Sequence, residues 1–259
     1  MGKIVSIHSF RGGTGKSNTT ANLAAQVALA GKRVGVVDTD IQSPGIHVLF
    51  GLDDESMGHT LNEFLRNECT IEQVAYPIGD NTGVAVGRMK LSEKNLWLIP
   101  SSIKGSEITK IVKDSFDPNK LNQGMQELMK SMNLDYLFID THPGLNEETL
   151  LSISVSDVLI IILRPDQQDF QGTAVTVDIA KLLFVENLFL LVNKALTKYD
   201  FDQMQKEIEA VYDAKVAAVL PLSEDLVDLG SSDLFSLATP DHPWSKGIAN
   251  VAEQILAIK

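Results

Sequence analysis

Short apolar runs rich in Val and Ile recur along the chain and alternate with stretches of helical periodicity. The runs at 3–10, 33–40, 135–141, 157–164, 187–193 and 215–221 carry too few polar positions for strands with one wet face, so they read as strands buried on both sides. Helical patterns occupy 16–30, 146–155, 169–183 and 200–212. This alternation predicts an α/β fold: a mostly parallel twisted sheet flanked by helices on both faces.

The stretch 51–134 is less regular. TLNEFL and TIEQVAY read as short helices, and GVAVG and NLWLIP as two strands joined by a polar, basic loop. Asp117 and Pro118 are a start signal for a helix over 118–132. With no linker rich in Pro, Gly or Ser, residues 1–259 are expected to form a single domain. No apolar run approaches the roughly 18 residues of a membrane span. The first residues enter a strand pattern directly, without the layout of a signal peptide, and a cytoplasmic location is expected.

The first strand run leads into RGGTGKS at 11–17, which opens the first helical pattern. A strand, a glycine-rich turn and a helix N-terminus form an anion site whose backbone N–H groups can wrap phosphate oxygens. In a P-loop of this kind Lys16 reaches the β- and γ-phosphates and the Ser17 hydroxyl binds Mg²⁺, so residues 12–18 (Gly12, Gly13, Thr14, Gly15, Lys16, Ser17, Asn18) are the expected nucleotide cradle. The general P-loop pattern has glycine five residues before Gly15, where this chain has Phe10. Carboxylates stand at two further strand ends, in DTDIQSPG (38–45) and LFIDTHPG (137–144). Carboxylates at the C-terminal ends of strands beside the loop face the nucleotide. The segment LVNKAL (191–196) carries Leu196 where a guanine-specific site needs aspartate, which favours ATP over GTP.

Gly12, Gly13, Gly15, Lys16 and Ser17 resemble the loop K-G-G-x-G-K-[ST] of the MinD/ParA family, with Arg11 in place of the signature lysine. The resemblance covers nearly the whole chain. It implies that Asp40 positions or activates the attacking water, that Asp38 supports the Mg²⁺ region, and that Asp140 holds Mg²⁺ directly or through water. It places Asn193 against adenine, with Pro221 and Leu222 beside the base. His142 could touch the γ-phosphate or serve as a structural residue of the second switch. In the family two nucleotides are sandwiched in an ATP-dependent homodimer. Arginine keeps a charged, forked donor at position 11, so Arg11 either reaches the partner's γ-phosphate or caps its own loop.

Charge and cysteine count then narrow the options. A single cysteine, Cys69, cannot form a multi-thiolate site, which argues against the iron–sulfur, nickel-insertion and tail-anchored-targeting relatives. The tail lacks the tyrosine cluster of the bacterial tyrosine-kinase relatives. Ile248, Val251, Ala252, Ile255 and Leu256 follow helical spacing without several cations on the polar face. That helix is expected to pack on the core, and a membrane is not an expected partner. Net charge is −12, which opposes nucleic acid unless a local basic patch overcomes it. Residues 88–113 offer one, with Arg88, Lys90, Lys94, Lys104, Lys110 and Lys113 against Glu93 and Glu107, net +4. Nonspecific DNA binding through it is an open alternative to a solvated face. The expected function is an ATP-hydrolysing dimerisation switch that positions, partitions or regulates a cargo, with slow turnover stimulated by an unidentified protein. The alternatives are a dethiobiotin synthetase-like ATP-dependent enzyme and a nucleotide-bound adaptor with negligible turnover.

Overall fold

The computed structural model describes residues 2–79, 91, 95–114 and 117–258. Among these, eight strands form one sheet in the order β3-β4-β2-β5-β1-β6-β7-β8. In chain order the elements are β1 (Lys3–His8), α1 (Lys16–Leu29), β2 (Val34–Asp38), α2 (Ile46–Leu49), α3 (Leu61–Leu65), β3 (Tyr76–Pro77), β4 (Leu96–Ile99), α4 (Gly105–Asp114) and α5 (Pro118–Ser131). They continue with β5 (Tyr136–Asp140), α6 (Glu147–Ser154), β6 (Val158–Leu163), α7 (Gln167–Leu182), β7 (Asn187–Ala195), α8 (Phe201–Tyr212), β8 (Lys215–Pro221), α9 (Glu224–Asp228), α10 (Phe235–Ala238) and α11 (Pro243–Ala257). Every strand pair is parallel except β3 with β4.

The continuous apolar runs follow from burial on both faces. All residues of β2, β4, β5 and β6 are buried, and their side chains divide among apolar clusters under the flanking helices. Helix starts match side-chain caps: Asp117, Asn146, Asp166 and Asp200 each accept from backbone N–H groups of the turn that follows. The Asp166 cap starts α7 at Gln167, two residues before the apolar periodicity suggests.

The irregular stretch departs from expectation in three ways. TIEQVAY is not a helix over its length; a 3₁₀ turn at Glu72–Val74 leads into β3. The strand in NLWLIP pairs in parallel with β2 and antiparallel with β3, while GVAVG lies outside the described residues. Helix α4 spans a stretch whose lysines stand out in the sequence only as charge; it carries Lys110, which pairs with Glu107 at 3.0 Å.

Helix α11 packs against α1 and β8, burying Trp244, Ile248, Val251, Ala252 and Ile255. Burying large apolar side chains of this kind stabilises by about 1.5–3 kcal/mol each. Among the described residues no helix is long and apolar enough to cross a membrane.

Candidate nucleotide site

Parallel pairing brings the C-terminal ends of β1, β2 and β5 to one sheet edge, with Asp38 opposite Asp140 and Ile7 opposite Asp140 in register. The chain leaves β1 at His8 and turns through residues 9–15 into α1. Gly13 (φ 79°) and Gly15 (φ 93°) take left-handed backbone that side chains rarely adopt. Gly15 is the N-cap of α1 and supplies no side-chain cap, so the first-turn N–H groups are free for an anion. A cleft of about 210 Å³ is lined by Ser9, residues 12–18, Asp40 and Pro143. A larger cleft of about 510 Å³ between α7 and α8 is mostly apolar, and no cation lines it; it lacks the chemistry for phosphate.

The loop is bolted from below. Asn193 Nδ2 donates to the Thr14 carbonyl at 2.8 Å and Lys194 Nζ donates to the Gly13 carbonyl at 2.7 Å. Asn193 Oδ1 accepts from the Trp244 indole at 3.3 Å, linking the loop to α11. A Cβ on Gly15 would come within 2.5 Å of Asn193 Nδ2. The resemblance puts Asn193 at the base; in the structure both ends of its buried amide are engaged within the fold. Lys194 and Trp244 were missed, and the Asn-Lys pair at the end of β7 was the signal for the first. Pro221 ends β8 opposite Ala195, and half-exposed Leu222 donates its N–H to the Ala195 carbonyl at 2.8 Å. Phe10, the departure from the general loop pattern, lies over Gly172 of α7, where a Cβ would meet its ring at 2.1 Å. Arg11 donates to Gln168 in the first turn of the same helix.

The charges converge on the strand ends. Lys16 Nζ lies 2.9 Å from Asp140 Oδ1, and both side chains are buried. Thr20 Oγ1 donates to the same oxygen at 3.1 Å, while Asp140 Oδ2 is buried without a hydrogen-bond partner among the described residues. Asp38 accepts from the Asp40 N–H at 3.0 Å and the Gly45 N–H at 3.3 Å. Burial, reinforced by Asp140, pushes its carboxyl up to about 8, against the pull of Lys16. Asp40 Oδ1 accepts from His142 Nδ1 at 2.7 Å and from the Ser43 N–H at 3.2 Å. His8 stands below, its Nδ1 2.8 Å from Thr141 Oγ1. Burial, then the charges of Lys16 and His142, pushes it down to about 3, so its ring is neutral.

These residues fit a metal–nucleotide. Among the described residues no group of three His, Cys, Asp or Glu could hold a metal by itself. Mg²⁺ does not need one, because it takes one or two protein ligands and completes its shell with phosphate oxygens and water. The unpartnered Asp140 oxygen and the cradle at Gly13 and Gly15 are the features such a ligand would use. The basic segment fares differently. Lys104 lies 3.6 Å from Asp54 and Lys110 is paired with Glu107, while Arg88, Lys90, Lys94 and the Lys113 side chain lie outside what is described.

A family model described as an AAA domain matches residues 2–198. An uncharacterized ATP-binding protein of Methanocaldococcus jannaschii is 25% identical, over 100% of this chain and 89% of that protein. The septum site-determining protein MinD of Pyrococcus horikoshii, solved with Mg-ADP, superposes with a TM-score of 0.80 at 21% identity, covering 98% of this chain and 96% of that one. A ParA family ATPase of Chlorobium tepidum gives a TM-score of 0.75 at 17% identity, covering 100% of both chains. The family match, joined to the loop and the strand-end carboxylates, places this chain in the MinD/ParA family of P-loop ATPases.

Proposed function

We propose that this chain is an ATP-driven switch: it binds ATP with Mg²⁺, dimerises, and hydrolyses slowly until a partner protein accelerates the reaction. The observation that carries the reading is the pairing of Lys16 with Asp140 beneath an uncapped helix N-terminus. Lys16 is positioned to exchange its carboxylate for β- and γ-phosphate oxygens, and the first-turn N–H groups supply the remaining donors. Ser17 and Asp140 would hold Mg²⁺ with Asp38 behind them, and the cation would supply positive charge that offsets the phosphates. Asp40, on the wall of the same cleft, would orient the attacking water.

Gly12, Gly13, Thr14, Gly15 and Asn18 complete the phosphate cradle in this reading. Adenine would lie toward Pro221 and Leu222, with Asn193 acting through the loop it supports. Arg11, held by Gln168 in the single chain, would turn to the second subunit's phosphate in the dimer. Residues 1–259 would act as one unit in the cytoplasm. The relatives point to positioning or partitioning as the role, since the Pyrococcus protein is by name a septum site-determining protein. The ion-paired Lys104 and Lys110 favour a protein cargo over nonspecific DNA.

Calorimetry with ATP and GTP, together with light scattering, tests the proposal. ATP with Mg²⁺ is expected to bind and to double the mass of Asp40→Ala, which cannot discharge its nucleotide. Lys16→Ala is expected to lose at least 100-fold in affinity. A monomer at saturating ATP, or a Lys16→Ala protein that binds normally, would overturn it.

A further inference from the structure

We propose that His142 is the positioning residue for Asp40, fixing the carboxylate that faces the attacking water. This rests on the assignment of Asp40 made above and adds the part of the site that sets its orientation.

The two residues come from separate segments that follow the neighbouring strands β2 and β5, and this hydrogen bond joins their side chains. His142 stands on a rigid base. The Thr141 N–H and Oγ1 both donate to the Ile7 carbonyl, at 3.3 and 3.0 Å. His8 holds the same hydroxyl at 2.8 Å, the Gly144 N–H donates to the Ser9 carbonyl at 3.1 Å, and Thr149 Oγ1 donates to the His142 carbonyl at 3.3 Å. The loop after β5 is thus tied to β1, to the start of the phosphate loop and to α6. The backbone before Asp40 is tied in the same way, since the Thr39 N–H and Oγ1 both donate to the Asp140 carbonyl, at 2.9 and 3.0 Å, but these bonds do not touch the Asp40 side chain. Its segment is held to the sheet by Asp38, which accepts from the Asp40 and Gly45 N–H groups.

An aspartate side chain turns about two bonds, and a water-orienting carboxylate needs both fixed. The Ser43 N–H belongs to Asp40's own turn and moves with it. The external fix is His142 at 2.7 Å. A carboxylate only accepts, so Nδ1 carries the proton. Both donors meet on Oδ1, which leaves Oδ2 without a hydrogen-bond partner among the described residues, on a residue that lines the cleft. Pro143, the residue after His142, lines the same cleft. His142 is not among the residues that line it, and the role assigned to it is to act through Asp40.

The experiment is single-turnover hydrolysis of ATP with Mg²⁺ by the full chain, alongside ATP affinity, for the parent and its variants. His142→Ala is expected to lower the hydrolysis rate ten- to hundredfold, the scale of a misplaced reacting group, with ATP affinity within twofold of the parent. His142→Asn is expected to return within about threefold, because the Asn amide nitrogen can stand where Nδ1 stood. Asp40→Asn is expected to be at least as slow as His142→Ala, and His142→Ala added to Asp40→Asn is expected to lower the rate no further. A parental rate in His142→Ala beside a slow Asp40→Asn overturns the positioning role and leaves the Asp40 assignment intact. Equally low rates in His142→Ala and His142→Asn overturn it as well, because the donor is then not what matters. A parental rate in Asp40→Asn removes the assignment on which it stands. Should His142→Ala not fold, His142→Gln takes its place: its amide overshoots the Nδ1 position and is expected to stay slow beside His142→Asn.

Discussion

The phosphate loop and the segment after β2 lie side by side at one sheet edge, yet they are held by different chemistry. The loop is clamped through its backbone carbonyls by Asn193 and Lys194, and Asn193 is itself fixed by the Trp244 indole. The segment 40–45 is held by carboxylates, with Asp38 accepting from Asp40 and Gly45 and with Asp40 accepting from Ser43 and His142. Amide and indole donors keep their hydrogen bonds across the working pH range. Carboxylates do not, and a cation or phosphate placed beside them changes their balance. One region is built to stay and its neighbour to respond.

The largest expected effect strikes the clamped side. Gly15→Ala places a Cβ on a backbone at φ 93°, within 2.5 Å of Asn193 Nδ2. Backbone strain and overpacking each cost on the order of 1–3 kcal/mol, so denaturant unfolding should show a loss of several kcal/mol together with lost ATP binding. A stable Gly15→Ala protein would show that the clamp gives way easily.

Asn193→Ala comes next. It leaves the Thr14 carbonyl and the Trp244 N–H without the partner each now has. An abandoned buried polar group costs about 1–3 kcal/mol, so the same unfolding measurement is expected to fall by about 2–4 kcal/mol.

The responsive side should show itself in pH. The folded Asp38 carboxyl is raised to about 8 from an unfolded value of 3.8. The folded state therefore binds the extra proton, and stability falls as pH rises through that window. His8, lowered from 6.5 to about 3, acts in the opposite sense: its contribution is lost as pH falls below 6.5. Between pH 6.5 and 8 Asp38 acts without that opposition. Nucleotide-free protein is expected to lose up to about 2 kcal/mol across this interval, and Asp38→Asn to flatten the slope. A flat profile in the parent would show that Lys16 already balances the buried charge.

The smallest effect completes the contrast. Gly45 has φ −163° and open space where a Cβ would stand, so Gly45→Ala should change stability by less than about 0.5 kcal/mol. Two glycines at the same sheet edge would then differ by several kcal/mol, according to which region holds them.

Much of this was legible in the sequence because it follows short-range rules. The apolar runs place six strands, the caps at Asp117 and Asn146 mark two helix starts, and the spacing of Gly13, Gly15, Lys16 and Ser17 marks the phosphate loop. What stayed hidden depends on chain-distant meetings. Asn193 and Trp244 are 51 residues apart and meet only because α11 packs against β8 and α1. His142 and Asp40 are 102 residues apart and are joined only because β2 and β5 are neighbours in the sheet. The two-residue β3 was missed because so short a strand has no periodicity; its identity comes from pairing with β4.

The chain has two tryptophans, and their settings make an optical instrument of the fold. Trp97 is on β4, with the Arg33 guanidinium 4.7 Å from its ring, apart from the cleft lining. Trp244 is fully buried and linked through a single asparagine to the Thr14 carbonyl. Occupation of the loop should alter the indole's hydrogen bond and shift its emission, while Trp97 supplies a constant background. Nucleotide arrival could then be timed by stopped-flow fluorescence in the unlabelled chain, with Trp97→Phe leaving Trp244 as the only tryptophan.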